Sequence, residues 1–160
     1  MNPFVTCLWF DTQAEEAANF YLAVFKNGKM GDVARYTTED PTHGKKIGDV
    51  LTAEFEVNGQ KFLGLNGGPY FKFTEATSLQ VLCDTQDEID YYWDALQAGG
   101  GSPSQCGWLK DKFGFSWQVV STALTRMLKG KDPARAGRVM AAMMKMTKLD
   151  VAALESAYAG

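Results

Sequence analysis

The sequence is poor in histidine and cysteine. Its 160 residues include one histidine, His43, and three cysteines, Cys7, Cys83 and Cys106. A single imidazole cannot supply the two-histidine, one-carboxylate ligand set of a ring-cleaving iron enzyme within one subunit. The cysteines are odd in number, widely spaced and without a CxxC pair. This pattern favours reduced thiols over a disulfide framework.

Long apolar runs and an excess of positive charge are also missing. No stretch approaches the roughly 18 apolar residues that span a bilayer, and the first residues lack the basic-then-apolar pattern of a secretory signal. The formal net charge is -3, whereas nucleic-acid binding depends on clustered Lys and Arg side chains. We therefore expect a cytoplasmic protein that binds neither membranes nor nucleic acid.

A short repeat organises most of the chain. The segment DTQAE at residues 11–15 closely matches DTQDE at residues 84–88. Strand-like runs rich in aromatic or branched residues precede both copies, at 4–10 and 78–83, and a helical pattern follows each copy. The chain therefore contains two related halves that begin with a strand and a helix.

Boundary residues and turns complete the predicted halves. Asp11 and Asp84 are expected to be helix N-caps, and Gly28 and Gly99 to end the helices. Asn58-Gly59 favours a type I′ hairpin turn. Three further strands are predicted in each half: 30–38, 50–57 and 61–65 in the first, and 104–106, 108–111 and 116–120 in the second.

The pattern predicts an α+β fold of two tandem βαβββ units, at residues 1–70 and 71–121, with curved mixed sheets and a helical tail at 122–160. A first tail helix is expected at 122–128. Asp132 followed by Pro133 predicts the start of a second helix, and Asp150 the start of a third. The methionine-rich run at 139–146 is typical of adaptable packing or a dimer contact.

Three segments resemble PhnB-like proteins of the vicinal-oxygen-chelate superfamily, which includes glyoxalases, bleomycin-resistance proteins and dioxygenases. They are CLWFD at 7–11, GLNGGP at 64–69 and CGWLKDKFGFSWQ at 106–118. Proteins of this kind are also catalogued under a 3-demethylubiquinone-9 3-methyltransferase domain. The resemblance extends over almost the whole chain, including the tail. It implies a homodimer with a small-molecule pocket on the concave face of the sheets.

The resemblance also implies where a metal would bind. In the superfamily the ligands come from the opening strand and a later strand of each half, which here places them near Val5, Glu54, Ser78 and Gln118. Only Glu54 is a carboxylate, and a transition-metal site needs several strong donors. We therefore expect no metal and no cofactor. Methyl transfer is also disfavoured, because no glycine-rich turn follows the first strand.

Strand alternation predicts the pocket wall. If Gln118 faces the pocket, Ser116 does too, and Trp117 packs under a helix. The expected ligand-binding residues are Cys7, Trp9, Asn66, Ser78, Gln80, Trp108 and Gln118. Glu54 is the expected general base, since a pocket would shield it from water. Alternative roles stay open: the tryptophans as core, Asn66 as a turn residue, Gln118 as a partner of nearby backbone, and Lys110 and Asp111 as solvated charges.

Three functions remain possible from the sequence. The first is a metal-free, dimeric binding protein or marginal enzyme for a small organic molecule. The second is a metal-assisted isomerase or lyase that uses Glu54, Gln118 and water. The third is a dimerisation module without pocket chemistry. Fold resemblance cannot choose among them, because the superfamily contains both enzymes and binding proteins.

Overall fold

The computed structural model describes residues 4–160 and contains two compact units, which meet in sequence between Phe73 and Thr74. Each unit has the order βαβββ, and its strands form an open four-stranded mixed sheet. The predicted α+β architecture is therefore confirmed. Between residues 4 and 160, no helix combines the length and the apolar character needed to cross a membrane.

The first unit contains a sheet in the order β1-β4-β3-β2. Its elements are β1 (Thr6–Phe10), α1 (Ala14–Phe25), β2 (Gly28–Arg35), β3 (Val50–Val57) and β4 (Gln60–Asn66). Strands β1 and β4 run parallel, and the other neighbours are antiparallel. The turn between β3 and β4 has φ of 50° at Asn58 and 80° at Gly59, as a type I′ turn requires.

One face of the first sheet packs against α1. Phe55 and Phe62 stack with ring centroids 5.0 Å apart, and Tyr21 of α1 lies 5.9 Å from Phe55. Gly64 lets the helix approach, because a Cβ there would lie 3.0 Å from Ala14 Cβ. Burying each large apolar side chain contributes roughly 1.5–3 kcal/mol. Among residues 4–73, no second helix covers the opposite face, which is called here the open face.

The second unit repeats this arrangement with strand order β5-β8-β7-β6. Its elements are β5 (Ser78–Cys83), α2 (Gln86–Gln97), β6 (Ser102–Pro103), β7 (Trp108–Lys110) and β8 (Ser116–Ser121). Trp117 and Val119 are buried on the helix side, as the alternation predicted. The predicted strand at 104–106 is wrong. Cys106 and Gly107 have φ of 58° and 84°, and these positive values bend the chain at that point. The observed strand β6 therefore begins at Ser102, two residues before the predicted strand.

The expected N-caps are wrong at both helices. Helix α1 begins after Gln13, which makes no side-chain cap, and Asn66 Oδ1 accepts from Ala14 N at 2.8 Å instead. Helix α2 is capped by Thr85, whose hydroxyl accepts from Glu88 N while the Glu88 carboxylate accepts from Thr85 N. A threonine with glutamate three residues later forms a capping box, in which two backbone amides at the start of the helix are satisfied reciprocally.

The predicted helix ends have mixed outcomes. Helix α1 ends at Phe25, and its left-handed cap is Lys26, with φ of 55°. Gly28 is wrong as a helix stop, since it begins β2, where a Cβ would clash with Glu56 O at 2.3 Å. Gly99 does follow α2 directly after its cap and has φ of 81°. Glycine suits that conformation because it carries no side chain.

The helical tail is part of the second unit. It contains α3 (Thr122–Leu128), α4 (Pro133–Met143) and α5 (Val151–Ala159), with Asp132 and Asp150 as the predicted N-caps. The segment between α4 and α5 accepts backbone hydrogen bonds from Cys106 N and Gly107 N, at 2.8 and 2.7 Å. The Gln86 amide bonds to both Leu149 O and Val151 N. These contacts anchor the tail to α2 and to the turn before β7.

Candidate functional site

The open face of the first sheet contains a cavity of about 440 Å³, called here the first-sheet cavity. Its lining combines apolar side chains with two carboxylates and two ammonium groups. The lining residues are Val5, Lys29, Gly31, Glu54, Phe55, Glu56, Lys61, Phe62 and Leu63. The pairing of β2 with β3 shifts register between Met30 and Val33, next to Glu54. Gly31 leaves room there, because a Cβ would lie 2.9 Å from Glu54 Cβ.

The two carboxylates of the first-sheet cavity differ in whether they form an ion pair. Glu56 forms an ion pair with Lys29 at 3.8 Å. Within residues 4–160, the Glu54 carboxylate has no hydrogen-bond or ion-pair partner. Glu54 is exposed to solvent in the first unit, so the shielding that we expected for a general base is not provided there. Its free carboxylate can accept hydrogen bonds from a ligand.

Cys7 and Trp9 lie on the same open face, as predicted. Cys7 is the register neighbour of Leu63, and partial burial raises the pKa of its thiol. Trp9 donates its indole N–H to Gly68 O at 2.9 Å and meets Phe71 edge to face, with centroids 4.9 Å apart. The indole N–H is therefore used inside the first unit, and the ring offers a ligand its apolar surface.

Asn66 does not lie on the open face of the sheet, where a ligand-binding residue is expected. Its side chain is buried on the face that packs against α1. Its Oδ1 accepts from Ala14 N, and its Nδ2 donates to Thr12 O and Val50 O at 3.1 and 3.0 Å. All these bonds go to backbone, so Asn66 joins β4, α1 and the start of β3. Its predicted ligand-binding role is corrected to a structural one.

Three predicted site residues come together on the open face of the second sheet. Gln118 donates to Ser78 Oγ at 2.8 Å, and Gln80 donates to Gln118 Oε1 at 3.2 Å. Gln80 and Gln118 are direct register partners on the parallel strands β5 and β8. These hydrogen bonds fix the orientation of the Gln118 amide between its neighbours. Its partners are side chains, whereas the alternative had it bonded to backbone.

Trp108 and several residues absent from the predicted ligand-binding set surround a second cavity. This second-sheet cavity of about 210 Å³ is lined by Glu75, Ser102, Pro103, Ser104, Trp108, Leu109, Lys110 and Ser116. Lys110 lies directly opposite Ser116 in the antiparallel pairing of β7 and β8. The alternation that places Gln118 on the open face also places Ser116 there. Lys110 follows Trp108 by two residues, so the same rule could have identified it.

Asp111 is a structural residue and not a solvated charge. It is buried, and its carboxylate accepts from Phe113 N, Phe115 N and Trp117 Nε1 at 2.8–3.0 Å. A carboxylate buried without such donors would be costly. Its neighbour Lys110 does reach the surface, where its ammonium lies 2.6 Å from Glu75 Oε1.

The donor set does not match a transition-metal centre. Within residues 4–160, no group of three or more His, Cys, Asp or Glu side chains is placed to hold a metal ion. The first-sheet cavity provides two carboxylates beside two lysines, without an imidazole or thiolate. His43 lies in the loop between β2 and β3, where its Nδ1 is 2.5 Å from Asp40 Oδ2.

Comparison with known proteins gives a consistent family match. Residues 2–120 match the family described as 3-demethylubiquinone-9 3-methyltransferase. A solved PhnB protein from Bacillus cereus with the same designation is 34% identical, with 76% of this chain and 100% of that chain covered and a TM-score of 0.66. No match was found among the curated proteins. The family match leaves out the tail from residue 121 onward, so the expected resemblance in the tail is not supported by it.

Two more distant structures share the fold. Protein PA1353 from Pseudomonas aeruginosa is 20% identical, with 76% of this chain and 98% of that chain covered and a TM-score of 0.60. The fosfomycin resistance protein FosX from Listeria monocytogenes is 14% identical, with 81% of this chain and 98% of that chain covered and a TM-score of 0.56. At these identities the likeness concerns the fold alone.

Proposed function

Because this chain belongs to the PhnB-like 3-demethylubiquinone-9 3-methyltransferase family of the vicinal-oxygen-chelate superfamily, we propose that it binds a small organic molecule on the open faces of its sheets. The binding requires no metal ion. The observation that carries this proposal is the first-sheet cavity, whose volume of about 440 Å³ falls in the range of small-molecule sites.

The chemistry of the open faces supports an amphipathic ligand. In the first unit, Val5 and Leu63 provide apolar surface and the Glu54 carboxylate is available as a hydrogen-bond acceptor. In the second unit, Gln118 is held by Ser78 and Gln80. A few oriented polar groups on an otherwise apolar wall are typical of sites that select a ligand by shape and hydrogen bonding.

The family designation does not by itself support methyl transfer. In methyltransferases of the doubly wound class, the cofactor binds at a glycine-rich turn between a parallel strand and a helix. Here β1 leads into α1 through Asp11-Thr12-Gln13, and both sheets are mixed. Glu54 remains the best candidate for a general base if the ligand is a substrate, because a bound molecule would cover the carboxylate.

We further propose that the protein is a homodimer. Several large apolar side chains are strongly exposed in the single chain: Phe4, Val5, Phe71 and Leu82. Leu82 lies on the open face of the second sheet, and Val5 precedes β1 and lines the first-sheet cavity. Burial of such side chains is the main driving force for association. Sedimentation equilibrium should give twice the mass of the chain, and a monomer at micromolar concentration would contradict this part of the proposal.

The ligand proposal is tested by native mass spectrometry and by thermal-shift screening of small molecules, with and without chelator. We expect at least one ligand whose affinity survives chelator and falls on substitution of Glu54→Gln or Gln118→Met. Glu39→Gln, on an exposed loop, is the matched control. Binding that disappears with chelator and returns with a divalent ion would contradict the metal-free proposal and favour the metal-assisted alternative. Failure of every ligand in a broad panel would overturn both.

A further inference from the structure

The register of the second sheet arranges polar side chains in two rows on its open face. One row crosses the strands in the order Ser78, Ser116, Lys110 and Ser102, and will be called the serine-lysine row. The neighbouring row contains Gln80, Gln118 and Trp108. Directly opposite residues have Cβ atoms about 5 Å apart. The serine-lysine row therefore combines hydroxyl donors and one ammonium group beside an indole ring.

Ser116 carries an unusual hydroxyl. The residue is 1% exposed, and its Oγ is a buried polar atom without a hydrogen-bond partner among residues 4–160. Leaving a buried hydroxyl unpaired costs about 1–3 kcal/mol. Ser116 lines the second-sheet cavity, where its O–H can donate to an acceptor that enters. An acceptor atom of a ligand in this cavity would complete the pairing.

Lys110 indicates the charge of that ligand. Its ammonium already pairs with a carboxylate of the same chain, Glu75 Oε1, at 2.6 Å. Glu75 is 64% exposed, and exposed ion pairs contribute little to stability. The ammonium has three donors, so it can donate to a second carboxylate, or donate to a ligand carboxylate in place of Glu75. Because the one ammonium group of Lys110 lies beside the negative charge of Glu75, the site suits a ligand with a single negative charge better than a ligand with two.

We infer that the serine-lysine row holds the carboxylate of a small organic acid, with Lys110 and Ser116 donating to its oxygens. The apolar or aromatic body of the acid lies along the Trp108 indole, within the second-sheet cavity. Glu75 competes with the ligand for Lys110. This inference rests on the proposed function and adds to it the class of ligand and three residues that bind or regulate it.

The test compares an acid with its uncharged analogue. Benzoate and benzamide share one shape, so we would titrate each into ¹⁵N-labelled protein and follow the indole N–H signal of Trp108 by NMR. We expect benzoate to bind at millimolar concentration or better and to shift that signal, with benzamide about tenfold weaker because charged hydrogen bonds are the stronger ones. Inorganic phosphate tests whether charge alone suffices.

Variants separate the contributions of the row. Lys110→Gln should weaken benzoate binding by about tenfold, and Ser116→Ala by about threefold. Glu75→Gln should tighten it several-fold, because the competing carboxylate is gone. Lys129→Gln and Ser156→Ala, on exposed positions of the tail, serve as matched controls. Thermal melting of each variant confirms that it folds, and the gain expected for Glu75→Gln cannot result from misfolding.

Some outcomes would overturn this inference without affecting the proposed function. Equal binding of benzoate and benzamide would remove the carboxylate preference, and so would benzoate binding that Lys110→Gln leaves unchanged. Absence of benzoate binding at millimolar concentration would do the same. A neutral ligand found by screening, and insensitive to Lys110→Gln, would support the small-molecule function while contradicting the organic acid.

Discussion

The indole N–H of Trp117 donates a hydrogen bond of 2.8 Å to Asp111 Oδ2. Both residues are buried, and Oδ1 of the same carboxylate accepts from the backbone of the turn at Phe113 N and Phe115 N. The connection between β7 and β8 is thus built around one carboxylate. This arrangement fixes the register that places Lys110 opposite Ser116 on the other face of the sheet.

Asp111→Asn should destabilise the second unit. The amide can keep one oxygen for the turn, but its NH₂ group then faces the Trp117 N–H, so a buried donor loses its acceptor. We expect a loss of about 2–3 kcal/mol in the free energy of unfolding. Urea denaturation followed by tryptophan fluorescence measures this loss. Trp117→Phe serves as a partner variant for a double-mutant cycle, and additive losses would show that the bond makes no coupled contribution.

Gly107→Ala should be far more damaging than Gly114→Ala. Both glycines have φ of 84°, so the backbone strain of a side chain is the same, roughly 1–2 kcal/mol. A Cβ at Gly114 meets no atom within 4 Å, whereas a Cβ at Gly107 lies 2.6 Å from Val119 O and 3.2 Å from Leu149 Cγ. The excess loss therefore reports the close approach of both β8 and the tail to the turn at Gly107.

The expected difference is more than about 2 kcal/mol, because backbone would have to move. Urea denaturation of both variants gives it directly. Hydrogen exchange at Gly107 N, which donates to Thr147 O, should accelerate in Gly107→Ala and not in Gly114→Ala. Equal losses in the two variants would show that neither Val119 of β8 nor Leu149 of the tail lies this close to Gly107.

The order of the elements could be predicted from the sequence because it depends on local patterns. The repeat at 11–15 and 84–88, the Asn58-Gly59 turn and the alternation around Gln118 all act over a few residues. Helix caps were less predictable. Asp11 and Asp84 have a suitable side chain, but Asn66 takes the Ala14 N–H and Thr85 caps α2, and the first of these contacts joins residues far apart in sequence.

The face of the sheet on which a candidate residue lies could be predicted where the alternation of side chains along a strand alone decides it. Cys7, Trp9, Gln80 and Gln118 lie on open faces for that reason. Asn66 is at the end of β4 and faces the helix, which the turn-like sequence at 66–69 conceals. Asp111 looks like a surface charge in sequence, because its three donors are provided by a turn and an indole that only the folded chain brings together.

Asn66→Leu should lower stability without a specific effect on ligand binding. The substitution leaves Ala14 N without its acceptor and leaves Thr12 O and Val50 O without their donor. We expect a loss of about 3 kcal/mol, since several buried groups are affected. Asn19→Ala, an exposed change on α1, should alter stability by less than about 0.5 kcal/mol. A folded Asn66→Leu protein with much weaker ligand affinity would restore Asn66 to the binding site.

Cys83 should resist thiol reagents and should couple stability to alkaline pH. Burial, followed by the negative charges of Glu88 and Asp84, raises the pKa of its thiol to about 12, from an ordinary value of 9.0. The folded state therefore holds the neutral thiol, and the unfolded chain ionises first. The stabilising contribution is complete below the unfolded pKa of 9.0 and is lost as the pH rises from there toward about 12.

Two measurements check this behaviour. Iodoacetamide at about pH 8, with peptide mapping, should modify the exposed Cys7 while leaving Cys83 unmodified until the protein unfolds. Between pH 8.5 and 11, the free energy of unfolding should fall more steeply in the unchanged protein than in Cys83→Ala, because only the former contains this thiol. Tyr92, whose pKa is raised by burial and then by the neighbouring Cys83, contributes to the slope in both proteins, so the difference between the curves reports Cys83 together with its coupling to Tyr92. Parallel plots of unfolding free energy against pH for the two proteins would mean that Cys83 has the same pKa in the folded and unfolded states. Alkylation of Cys83 before the protein unfolds would mean that α2 separates readily from β5.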